Sequence, residues 1–206
     1  MCSKRRSEIE DLDADCKISR QDDARIIETQ ELPGLAARIL AIEKLLSGRL
    51  NSLDYGEKVE YLYNPILYAE DLHTKFLSKF LVGPTEVFFL GMNPGPFGMC
   101  QTGIPFGEVG IVRNWMQIDG LVGKPAREHP KRLVLGMSSN RSEPSGKRFW
   151  SFFEHLCKSP ENFFSKAFVY NYCPAAFLDS KGANVTPVDL KVCINYTFLK
   201  DKESKT

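Results

Sequence analysis

The chain has 206 residues, is 43% hydrophobic and 26% charged, and carries a formal net charge of +1. This is the composition of one ordinary globular domain, and it excludes a disordered chain, a fibrous repeat and a disulfide-stapled miniprotein. No apolar run nears the roughly 18 residues that span a bilayer, and the N-terminus lacks the apolar stretch of a signal peptide, so the chain is expected to stay in a reducing compartment with no membrane partner.

Residues 1–33 hold nine acids against six bases with no sustained periodicity, which predicts a disordered acidic N-terminal tail. Beyond it, Leu35, Ile39, Ile42, Leu46 and Leu50 recur at steps of three and four. Arg38, Glu43 and Lys44 fall elsewhere on the wheel, as an amphipathic core helix requires. Asn64-Pro65 reads as an N-cap with proline at the first helical position, followed by a stripe of Tyr68, Leu72, Phe76 and Phe80. Residues 86–92 form a short apolar run rich in β-formers, expected as a strand buried on both faces. Two similar runs, 132–136 and 167–172, are expected as further strands. Helical faces fall between them, one of Val109, Val112, Trp115 and Met116, the other of Phe149, Trp150, Phe152, Phe153 and Leu156 after a Ser145 cap. Alternating strands and helices predict an α/β domain around a parallel sheet.

Between the first strand and the helix of Trp115 lies Gly91–Gly107, which holds five of the chain's 15 glycines and three of its 12 prolines. Glycine permits close backbone approach and proline stiffens, so this loop at a strand's carboxyl end suggests a rigid ligand cradle. It is neither a Walker loop nor a GxGxxG fingerprint, and the chain has no GxSxG elbow. The six cysteines show no CxxC spacing, so free thiols are expected and a metal centre is not. His73 and His155 sit in helical patterns as satisfied core or surface residues, and His129 reads as a plain loop histidine. Asn171, where the third strand meets a proline turn, must satisfy both faces of its amide, which suits either a turn or the reading of a base edge. Residues 127–148 carry six bases against two acids, a modest basic surface that suits either a solvated face or phosphate contact.

The string GMNPGPFGMCQTGIPFGEV, then EHPKRLVLG, SGKRFWSFFEHLC, NYCP and NVTP, resembles the single-strand-selective monofunctional uracil-DNA glycosylases from about Leu53 to Leu190. The resemblance implies a three-layer α/β/α sandwich around a parallel sheet. It also implies a monomeric, nuclear repair enzyme that releases uracil and some oxidised pyrimidines from single- and double-stranded DNA, with no metal and no cofactor. By resemblance Asn93 holds the attacking water, Phe106 stacks on the base, the Met92 backbone completes the hydrogen-bonding edge and Asn171 pairs with O4 and N3–H. Gly95 leaves room near C5, Phe97 belongs to the substrate site, and Lys181, Gly182, Asn184 and Thr186 contact DNA. Members of the family continue into a further strand and a His-Pro-Ser-Pro motif, whereas this sequence runs from Lys191 to Thr206 without one. The domain over 34–190 is therefore expected to lack its last strand. Residues 191–206 are expected as a divergent tail, and the chain as a C-terminally truncated isoform of impaired activity.

Overall fold

The computed structural model describes residues 34–190. The tails expected over 1–33 and 191–206 lie outside the described residues. Helix α1, Gly34–Asn51, forms where the spacing predicts but is rotated about its axis. Glu43, Ser47 and Leu50 face inward, while Leu35, Ile42 and Leu46 are exposed. The rotation follows from polar partners waiting on the inside. His73 Nε2 lies 2.8 Å from Glu43 Oε2, and Asn64 Nδ2 donates to the Ser47 carbonyl at 3.1 Å, so the Glu43 carboxylate is buried with a partner, while Ser47 Oγ and Asn64 Oδ1 are buried without one among the described residues.

Strand β1, Tyr61–Tyr63, leads into α2, Pro65–Tyr68, and α3, Glu70–Phe80. The helix start at Asn64-Pro65 is as read, although the Asn64 side chain caps nothing. The predicted single stripe is interrupted at Ala69 (φ −113°, ψ 31°) before Leu72, Phe76 and Phe80 enter the core. Strand β2, Val87–Gly91, and strand β3, Ala167–Asn171, pair in parallel from Val87↔Ala167 to Gly91↔Asn171. Alternating side chains point to opposite faces. Phe89 therefore meets Phe149 and Phe153, each at 5.3 Å between ring centroids, whereas Phe168 meets Phe76 of α3 at 5.3 Å on the other face. The burial expected for both faces of β2 is corrected: Phe88 and Leu90 are each 58% exposed, because β3 is the only strand paired with β2 among the described residues.

The strand expected over 132–136 is also corrected. Its backbone donors go to side chains, Val134 N–H to Glu128 Oε1 at 2.7 Å and Leu135 and Gly136 N–H to Gln101 Oε1 at 2.8 and 3.1 Å. A segment whose donors are satisfied in this way offers no ladder to a neighbouring strand. A second, antiparallel sheet was not legible in the periodicity: β4, Ala176–Leu178, lies between β1 and β5, Asn184–Val185. Its strands are too short to show alternation.

The remaining helices are α4, Met99–Thr102; α5, Val109–Asn114; α6, Pro144–Cys157; and α7, Pro160–Phe164. The cap of α6 is Glu143, whose carboxylate accepts from Gly146 N–H, and not Ser145, because Pro144 takes the first helical position and the helix starts two residues earlier. The result is a mixed α/β fold with small sheets and several helices. Among the described residues no helix is long and apolar enough to cross a membrane.

Candidate active site

A cleft of about 270 Å³ opens at the carboxyl ends of β2 and β3, where ligands sit in open α/β sheets. The Gly91–Gly107 loop supplies Met92, Asn93, Gly95, Met99 and Phe106 to its lining, and Asn171 and Asn184 join them from β3 and β5. The structure thus gathers most of the residues singled out from sequence. Phe97, Lys181, Gly182 and Thr186 fall outside this lining. Gly182, at φ +77°, packs so closely on the His129 ring that a Cβ would stand 2.7 Å from Cε1. The Thr186 hydroxyl is bonded to Asp189 at 2.6 Å, and Lys181 lies exposed on the hairpin between β4 and β5.

Parallel pairing sets Asn171 opposite Gly91. A Cβ on Gly91 would overlap Asn171 Oδ1 and stand 2.8 Å from Phe106 Cε2, so the glycine is what allows the amide and the ring to share one wall. Asn171 is buried, with Nδ2 3.1 Å from the Met99 sulfur, a weak acceptor that leaves the amide's stronger bonding capacity for a ligand. Phe106 adopts φ +54°, a conformation bulky residues rarely hold, and such strain persists only where its surroundings fix it. Here the Trp150 indole donates to the Phe106 carbonyl at 3.1 Å. Phe149 stacks on its ring at 5.1 Å with 20° between planes. The strain aims the ring at the cleft.

Asn93 and Asn184 form a reciprocal amide pair, Asn93 Nδ2 to Asn184 Oδ1 at 3.0 Å and Asn184 Nδ2 to Asn93 Oδ1 at 3.2 Å. The Met92 carbonyl accepts from Cys173 N–H at 2.9 Å, which fixes the peptide beside it. Sequence reasoning missed Met99, Glu143 and Ser145 as lining residues. Glu143 and Ser145 arrive with the N-terminus of α6, and the one available signal was Gly146, which has no side chain to hold that helix end away from the Phe106 backbone. Glu143 is the only charged side chain in the lining among the described residues, and a Cβ on Gly95 would stand 3.5 Å from its Oε1.

The two thiols nearest the loop are not activated. Burial pushes Cys100 up to about 12 and raises Cys173 as well, so both stay protonated near neutral pH. His129 is committed to Lys131 N–H at 3.0 Å and to the Ser180 carbonyl at 3.3 Å. Among the described residues no three His, Cys, Asp or Glu side chains cluster as metal ligands. The chemistry on offer is that of three amides, two of them paired with each other, one aromatic face and one carboxylate, a set that suits a planar polar ring and an ordered water.

No family model matches the chain. It is similar to the single-strand selective monofunctional uracil-DNA glycosylase of Rattus norvegicus, 51% identical over 156 residues that make up 76% of this chain and 56% of that protein. The Bos taurus protein of the same name is 48% identical over 166 residues, 80% of this chain and 61% of that one. A crystal structure of a Pedobacter heparinus protein called SMUG2 has a TM-score of 0.45 and 17% identity, covering 79% of this chain and 69% of that one. The chain spans between 56% and 61% of the length of these two curated relatives.

Proposed function

We propose, on the premise that over three quarters of its length the chain belongs to the family of single-strand selective monofunctional uracil-DNA glycosylases, that it hydrolyses the bond between uracil and deoxyribose in DNA. It would act as a nuclear monomer in base-excision repair, without a cofactor. The observation that carries this reading is the meeting of the Asn93 and Asn171 amides with the Phe106 ring in a single cleft. The same premise extends the parallel pair to a larger sheet between two helical layers, which the exposed Phe88 and Leu90 on β2 support.

A base buried in the stack is out of reach, so the target nucleotide must leave it and enter the cleft. Phe106 then takes one face of the ring, the other side of its own ring being covered by Phe149. Stacking of this kind is worth roughly 1–3 kcal/mol per base and tolerates any base. Selection falls to Asn171, whose amide donates to O4 and accepts from N3–H. Cytosine reverses both groups and would leave buried polar atoms unpaired. As the C1′–N1 bond breaks, its electron pair leaves with uracil and C1′ becomes cationic. A water bonded to Asn93 Oδ1 supplies the oxygen that joins C1′, and its proton passes to solvent. Among the described residues neither lysine nor cysteine lines the cleft, in keeping with direct hydrolysis rather than a covalent enzyme intermediate. Oxidised pyrimidines fit the same site. Gly95 leaves space, and the Glu143 carboxylate near it accepts a hydrogen bond from a hydroxyl carried at C5.

Asn171→Asp is expected to lower uracil excision by roughly 10- to 100-fold, because a carboxylate no longer donates to O4 and is itself costly to bury. Selectivity should move modestly toward cytosine, whose amine a carboxylate accepts. Parallel assays on uracil- and cytosine-containing oligonucleotides read both effects, and an unchanged uracil preference removes Asn171 from base recognition.

A second reading, a chain that binds uracil-containing DNA without cleaving it, is favoured by one observation: none of the histidines His73, His129 and His155 lines the cleft. Removing one preorganised donor from a developing anion typically costs about 10²–10³ in rate. Incubation of the 206-residue chain with uracil-containing single strands, followed by alkaline scission of abasic sites, decides between the two. Scission above background supports the hydrolase, and retention of intact oligonucleotide supports the binder.

A further inference from the structure

Phe97 lies four residues beyond Asn93 on the same loop, yet it falls outside the cleft lining and carries two cations. The Arg132 and Arg141 guanidiniums each lie 5.1 Å from its centroid. Both side chains are cationic at any physiological pH, and neither is ion-paired to a carboxylate among the described residues. Two like charges brought to one ring repel each other, and the ring's face offsets that only in part. An anion that reaches both guanidiniums would offset that repulsion.

Arg132 is built in rather than draped. Its Nε donates to the Gly182 carbonyl at 2.9 Å and its Nη1 to the Lys131 carbonyl at 3.1 Å. Those bonds use two of the five guanidinium N–H groups and leave the rest for a ligand. The bond to Gly182 ties Arg132 to the hairpin whose Asn184 holds Asn93. Arg141 reaches the ring from the exposed segment just before α6.

We propose that Arg132 and Arg141, seated on the single ring of Phe97, clamp a backbone phosphate of DNA next to the extruded nucleotide. This rests on the reading of the cleft as a nucleobase site. Guanidinium matches phosphate oxygens in paired hydrogen bonds, and contacts of this kind fix register without reading sequence. Phe97 is then a platform for cations, not a wall of the base pocket.

Equilibrium binding of an undamaged single-stranded oligonucleotide to the full chain, over a series of salt concentrations, tests the clamp. Each phosphate neutralised on a single strand contributes about 0.7 to the slope of log K against log salt. Arg141→Gln should therefore flatten the slope by about 0.7 and weaken low-salt binding by roughly 3- to 10-fold. Phe97→Leu should do at least as much by removing the platform of both guanidiniums. Lys166→Gln serves as the control, since Lys166 pairs with Glu86 at 3.0 Å beyond the opposite ends of the same strands, and its slope should match wild type. Wild-type slopes in both Arg141→Gln and Phe97→Leu, or a wild-type chain that binds no oligonucleotide, overturn the clamp. Uracil release by the unaltered chain is scored separately. Release with unchanged slopes rejects the clamp and keeps the hydrolase, whereas flattened slopes without release keep the clamp and reject the hydrolase.

Discussion

Asn93→Ala is expected to slow uracil release by about 10²-fold or more while leaving binding of uracil-containing DNA nearly intact, because orienting a water matters mainly in the transition state. An amide is too weak a base to strip a proton from water, so its contribution is geometric, and the geometry is set by Asn184. A primary amide has two N–H donors and two lone pairs on oxygen. The reciprocal pair, at 3.0 and 3.2 Å, engages one donor and one acceptor of Asn93. One lone pair on Oδ1 then remains to receive a hydrogen of water, with the rotation of the amide already fixed. Asn184→Ala should accordingly cost less than Asn93→Ala, and the double variant should be no slower than Asn93→Ala alone, since Asn184 acts through its partner. Single-turnover rates set beside binding isotherms separate these effects. Equal losses of rate and affinity in Asn93→Ala would remove it from water positioning.

The loop that lines the cleft was legible because its signal is local. Glycines and prolines concentrated after an apolar run mark a rigid turn at a strand end whatever packs against it. Asn171 was legible for a similar reason, a polar residue closing a run of β-formers. Glu143 was counted only as an acid in a basic stretch, since nothing local says that α6 will be drawn against the loop with Glu143 at its cap. Segment 132–136 failed in the opposite sense. Its composition is that of a strand, but side chains 6 and 34 residues before the donors they accept from, Glu128 and Gln101, take the N–H groups that a ladder would need. The face of α1 was misread because a carboxylate on the wheel is assigned to solvent unless its partner is known, and His73 lies 30 residues away.

That buried pair leads to the second large effect. Glu43→Ala is expected to destabilise the fold by about 3–5 kcal/mol, the usual cost of removing one partner from a buried charged pair. Glu43 and His73 are 2% and 0% exposed. His73 Nδ1 lies 2.7 Å from the Gly103 carbonyl, and Nε2 lies 2.8 Å from Glu43 Oε2. The carbonyl is only an acceptor, so Nδ1 carries a proton. With Glu43 removed, Nε2 faces a cavity with nothing to bond. Tyr170 of β3 feels the same carboxyl: burial first, and then Glu43, raise its phenol above the ordinary range. For a domain of this size about 3–5 kcal/mol corresponds to a fall in Tm on the order of 10 °C. Glu43→Gln should lose less, since its amide N–H can donate to the Nε2 lone pair at similar volume. The damage should also reach the site, because Gly103, at φ +71°, closes α4 in the loop that carries Phe106, and His73 is what holds its carbonyl. Excision assayed well below the lowered Tm should therefore fall in Glu43→Ala more than in Glu43→Gln. A Glu43→Ala variant that melts within a degree or two of wild type would show that the pair contributes little to holding α1 and the loop together.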